Sequence, residues 1–158
     1  MQNKSPAKTA SAPKNRIFLS VGMFFSVLFF ALLPSILAKP FIDVQLGSNH
    51  YQLEVVENED DKKRGLSGRS NIRDDQGMIF IYAEQDRRCM WMKDMNFSID
   101  IIWLDENEVI SHIEANVTPE TYPNSFCGET DAKYVIELKG GVAGSNGVRV
   151  GDNVDIVP

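Results

Sequence analysis

The sequence predicts an α+β, β-rich domain, with a compact curved or barrel-like sheet and one or two short helices. Three observations predict it. Beyond residue 40 the apolar residues fall into short runs bounded by Gly, Asn, Asp and Pro, which is the punctuation of strands and turns. Only the stretch "NEDDKKRG" carries a full set of helix start and stop signals. No repeat or low-complexity segment follows residue 40, so one sheet has to supply the core.

The first forty residues stand apart from this domain. Residues 1–16 carry Lys4, Lys8, Lys14 and Arg16 and no acid, and the run from Ile17 to Ala38 holds no charge. A basic flank, an apolar run and a small residue at its end compose a secretory signal. The same run is also long enough to serve as an N-terminal membrane anchor. Pro34 suits a cleavage region, whereas Ile36 is large for the position two before a cut at Ala38. Residues 1–38 are therefore expected to export the chain to the periplasm or to the outer face of the inner membrane. The membrane is touched only through that segment, and residues 39–158 form one exported globular domain. This domain holds 12 Lys and Arg against 22 Asp and Glu, a net charge of 12 − 22 = −10. Such an acidic balance repels phosphate backbones, and nucleic acid is not an expected partner.

Along the domain, "FIDVQLG" and "HYQLEVVE" flank a Ser-Asn turn and predict a hairpin. Asn58 can cap a helix whose first turn holds Glu59 to Asp61 and whose last holds Lys62 to Arg64, with Gly65 as the stop. The charges of this helix are expected to form a solvated surface. "GMIFIY" and "CMWMK" predict strands, and "SIDIIWLDENEVISHIEA" predicts two strands around an acidic turn. Residues 116–131 show no clear period and are expected to form a long irregular loop of the kind that often carries function. "KYVIEL" is a further strand, and "KGGVAGSNG" a turn with one helical turn at most. "VRVGDNVDIV" predicts a strand, a Gly-Asp turn and a last strand. Cys89 and Cys127 both lie in the exported region, where an even pair most often forms a disulfide.

The order "RGLSGR", "GMIFIY", "CMWMKDMNFSIDIIWLD", "YVIELKGG", "GVRVGDNV" resembles the family called domain of unknown function 192, over roughly residues 41–157. The matching positions are Gly65 and Leu66, Gly77 and Met78, then Trp91, Met92 and Lys93. Asp100, Glu137, Gly141, Gly151 and Asp152 follow. The chain departs from the family pattern at Asp94-Met95, where relatives usually have Asn-Thr, and at Ser98-Ile99, where they have Pro-Leu. The resemblance implies a compact β-rich fold and a bacterial protein that is exported or lipid-anchored. It implies no reaction.

The residues leave three function classes open. The leading one is a small, non-catalytic envelope domain that binds a small molecule, a glycan or another envelope protein. Its site would be framed by Trp91, Lys93, Asp100 and the 116–131 loop, with Tyr122 and Phe126 as stacking aromatics. The second is a hydrolase using Asp100 and Glu137 as paired carboxylates. The third is copper or thiol handling through "CMWMKDM", although strand alternation would send Met90 and Met92 to one face and Cys89 and Trp91 to the other. His50 and His112 lie in no ligand-spaced motif, so no metal site is expected, and no cofactor motif is present.

Overall fold

The computed structural model describes residues 40–156. The export or anchor segment expected over residues 1–38 lies outside the described residues. Strands β1 (Phe41–Leu46) and β2 (Asn49–Val56) form the expected antiparallel hairpin. Helix α1 (Glu59–Arg64) follows. Then come β3 (Gln76–Asp86), β4 (Cys89–Trp91), β5 (Ile99–Leu104) and β6 (Ile110–Val117). A 3₁₀ turn (Pro119–Thr121) leads to β7 (Ser125–Cys127) and β8 (Ala132–Lys139). Helix α2 (Val142–Ser145) and β9 (Asp155–Ile156) close the order. Seven strands form one curled half-barrel sheet in the order β6-β5-β8-β3-β2-β1-β9, and β4 pairs with β7 in a separate small ribbon.

Alternation along the strands gives the sheet two buried faces. Leu53, Ile79, Ile102, Ile136 and Leu138 point to one face, where Val142, Ala143 and Val148 cover them. Met78, Phe80, Ile101, Trp103 and Val135 point to the other, where Leu66, Ile72, Met90, Met92 and Met95 cover them. The central strands are therefore nearly continuous apolar runs, and β5 is buried at every position. Gly77 stands where β3 presses hardest on its neighbour. A Cβ there would lie 2.4 Å from the carbonyl oxygen of Glu137, so any side chain would force β3 and β8 apart.

Local chemistry explains α1. The Asn58 side chain accepts from the Asp61 amide at 2.9 Å, and the Gly65 amide closes the helix on the Asp61 carbonyl at 2.8 Å. Gly65 leaves the helix at φ +50, a conformation few side chains tolerate.

Three expectations require correction. The strand expected over "CMWMK" ends at Trp91, because Asp94 adopts a positive φ of 56 and the Met95 amide bonds back to the Met92 carbonyl. The strand expected at "VRV" does not form. There the Asp152 side chain takes the Arg149 amide at 2.8 Å, which bends the chain into a turn, and only Asp155–Ile156 joins the sheet. The loop over residues 116–131 is less irregular than its sequence implied, since it contains the 3₁₀ turn and β7.

Candidate functional site

Asp100 and Glu137 sit on adjacent strands, but the register separates them. Asp100 pairs with Leu138 and Glu137 pairs with Ile101, so the two side chains leave opposite faces of the sheet. Asp100 is fully buried on the α2 side. Its Oδ1 accepts the amides of Asn116 (2.7 Å) and Gly141 (2.9 Å), and its Oδ2 accepts the Ala143 amide (2.8 Å). The carboxylate thereby caps α2 from a distant strand, doing what Gly141 at the N-cap has no side chain to do. The structure does not bring together the carboxylate pair that a hydrolase of the expected kind needs.

Glu137 lies on the other face in a different setting. It is 4 % exposed, and its Oε2 is buried with no hydrogen-bond partner among the described residues. Burial pushes its carboxyl up to about 8, with Arg69 acting in the opposite direction. Arg69 is already engaged by Glu54 at 2.6 Å. Glu54, Met78 and Glu137 occupy one row across β2, β3 and β8, so the Met78 position separates Glu54 from Glu137.

Glu137 forms the floor of a cleft of about 160 Å³. Leu66, Phe80, Met90 and Met95 give it apolar walls. Gly65 packs against the carboxyl group: a Cβ there would lie 3.7 Å from Oε2 and 3.4 Å from the Phe80 ring, in van der Waals contact with both. Trp91 stands at the rim, 48 % exposed, and Cys89 beside it is exposed too. Lys62, Lys63 and Arg64 line the opposite rim from α1. Lys62 is nearly buried, bonds Glu59 at 3.1 Å and stands 4.4 Å from the Tyr82 ring centre. Arg88 stacks on the same ring at 4.0 Å. Burial pushes the Tyr82 hydroxyl up to about 12, so it remains a neutral phenol.

The other residues singled out in the sequence are dispersed. Lys93 is exposed, and its carbonyl accepts the Ser67 hydroxyl at 2.7 Å, which ties the "CMWMK" turn to the chain after α1. Tyr122 is 48 % exposed, while Phe126 pairs with Met90 across the β4–β7 ribbon. Cys89 and Cys127 form a disulfide across that ribbon, which removes the free thiolate from the copper and thiol reading. Of the residues expected to bind or catalyse, only Trp91 and Glu137 share the cleft, with Gly65, Leu66 and Cys89, singled out on other grounds, beside them. Lys63 and Arg64 are exposed, as the solvated surface expected of α1 requires, and they also line the cleft with Lys62; the part-buried pair Glu54–Arg69 was not singled out in the sequence. An acid inside the apolar run "LEVV" was the available signal for Glu54.

Comparison with known proteins agrees with this fold. The chain resembles a crystal structure of a putative transcription regulator from Sinorhizobium meliloti 1021 at 24% identity and a TM-score of 0.72, covering 75% of this chain and 95% of that one. It also resembles a protein of unknown function from Novosphingobium aromaticivorans DSM 12444 at 26% identity and a TM-score of 0.66, covering 73% and 83%. The comparison with curated proteins returned no match. The model of the family DUF192, described as "Uncharacterized ACR", matches residues 42–156, and the chain belongs to that family.

Proposed function

We propose that this protein is an exported, non-catalytic binding domain whose ligand site is the cleft above Glu137. One observation carries the proposal. A carboxyl oxygen is sealed beneath a cleft, with no hydrogen-bond partner among the described residues, although buried polar groups in folded proteins are almost always satisfied. Leaving such a group unmade costs about 1–3 kcal/mol. An apolar residue of similar volume would avoid that penalty, so retention makes sense if an outside group completes the site. The half-exposed Trp91 at the rim supports entry from solvent, and a ligand that reaches Oε2 has to displace the cover over it, to which Gly65 contributes no side chain. Binding is favoured over carboxylate-pair hydrolysis because Asp100 faces away and Glu54 is held by Arg69. Export is supported by the basic and apolar residues 1–38 and by the disulfide, which persists in oxidising compartments. The S. meliloti protein's description as a transcription regulator is not transferred, since that likeness concerns the fold.

The test is a screen of mixed small polar fragments against the full-length protein in a non-ionic detergent, read by thermal shift. Hits that stabilise the native protein and lose their effect in Trp91→Ala and Glu137→Leu are expected. Hits that shift all three proteins equally would place the site elsewhere.

A further inference from the structure

Resting on that assignment of the cleft, we infer that its ligand is a small organic carboxylate, held by the Glu137 carboxyl group at the floor and by the cationic α1 side chains at the rim. Three features of the cleft lead there.

The first is charge. Lys62, Lys63 and Arg64 line the rim; Glu59 bonds Lys62 at 3.1 Å and Asp61 lies 3.5 Å from Arg64, so Lys63 is the rim cation that no ion pair engages among the described residues. Yet residues 39–158 as a whole carry 12 basic and 22 acidic side chains. An opening with a cationic edge on an acidic domain concentrates small anions at that one place. The segregation is local in origin, because α1 places its acids in the first turn and its bases in the last, next to Gly65 and the cleft mouth.

The second is the state of the floor. With its carboxyl pushed up to about 8, Glu137 keeps its proton at neutral pH and can donate an O–H hydrogen bond. A carboxylic acid facing a carboxylate makes a short, charge-assisted bond, stronger than one between neutral partners. A cationic ligand would need the opposite state, an ionised Glu137, and would have to pass the basic rim. The groups facing Glu137 leave the donor role open. Arg69 from the loop after α1 is engaged by Glu54 of β2. Tyr82 of β3 is a neutral phenol between Lys62 and Arg88, and Lys62 is bonded to Glu59. None of these is directed at Oε2 by a hydrogen bond.

The third is size and shape. The cleft, about 160 Å³, is close in volume to an apolar cavity of about 150 Å³ that takes up one benzene ring, which suits a headgroup or one small ring. Phe80, Leu66 and Met95 offer apolar contact below, and the indole of Trp91 offers a flat face at the rim. A small acid with a compact apolar body fits these walls.

The experiment titrates acetate and benzoate into the full-length protein at pH 6.5 and pH 9.5, following heat of binding and Trp91 fluorescence, with Trp91→Phe as the fluorescence control. Methyl glucoside and tetramethylammonium serve as neutral and cationic probes. The expected result is carboxylate binding at pH 6.5 that weakens roughly thirtyfold at pH 9.5, following loss of the Glu137 proton. Glu137→Gln cannot ionise, so it should lose most of that pH dependence, and it should bind more weakly at pH 6.5. Lys63→Glu should weaken binding at both pH values. Carboxylate affinity that is flat or rising with pH in the native protein overturns the inference, and so does silence of both acids at pH 6.5. Binding of methyl glucoside or tetramethylammonium at the cleft without the acids overturns it too, while leaving the binding function itself standing. That broader function falls only if the mixed fragment screen also finds nothing at Trp91 and Glu137.

Discussion

Glu137 and Asp100 are buried acids one residue apart in register on neighbouring strands, yet they face different physics. Asp100 meets three backbone amides and is spent on holding α2 and the Asn116 turn. Replacing it by Asn puts an N–H donor against amide donors, so Asp100→Asn should lower stability by about 3 kcal/mol in urea titrations. A ligand contact at Asp100 would instead leave the fold unchanged and abolish binding. For Glu137 the expectation is a pH effect. Its folded carboxyl titrates near 8, against an ordinary value of 4.5 when unfolded. Between these values the folded chain holds a proton that the unfolded chain has lost, so stability falls as pH rises. The slope is about 1.4 kcal/mol per pH unit within the window, flattening below 4.5 and above 8. Urea midpoints measured from pH 4 to 9 check it. Glu137→Gln should remove that part of the slope and should be the more stable protein at pH 8. A parallel decline in both proteins would show that other groups set the pH dependence.

Among the elements, local chemistry was legible in the sequence and long-range placement was not. The β1–β2 hairpin, the charges and stop of α1, and the β5–β6 pair around Asp105–Glu108 all follow from neighbours in the chain. The "VRV" strand failed because Asp152 diverts an amide that a ladder would otherwise use, and side-chain competition of that kind is invisible to periodicity. Glu137 stood out in the sequence as an acid in a strand. Its solitude depends on the register of β8 with β3 and β5, which no local pattern encodes. That the basic half of α1 borders the cleft was not legible for the same reason, since only the fold brings it near Trp91. The disulfide was legible, and its effect belongs to the β4–β7 ribbon that it clips across a sequence separation of 38. Loop-closure entropy assigns that link about 4 kcal/mol. Cys127→Ser should therefore lower stability by up to that amount. Faster amide exchange should be confined to residues 89–91 and 125–127, with β3 and β8 still protected. Uniform loosening of the whole sheet would show that the bond organises more than the ribbon.

At the scale of the molecule, the cleft and the disulfide acquire a common setting if the domain is exported. A small acidic domain with a bond that cytosolic reductants would open is better matched to an oxidising compartment. If the apolar run enters a membrane, the four bases before Ile17, with no acid among them, would orient it so that the domain lies on the far side. This predicts the outcome of fusing alkaline phosphatase after Pro158 in a bacterial host. The phosphatase, which needs its own disulfides, should be active with the full chain and inactive when residues 1–38 are deleted. Thiol alkylation of the same cells should find Cys89 and Cys127 blocked from reaction in the full chain and reactive in the deleted one. Phosphatase activity that survives the deletion, or reactive thiols in the full chain, would place the domain in a reducing compartment. The about 4 kcal/mol assigned to the ribbon would then be missing where the protein works.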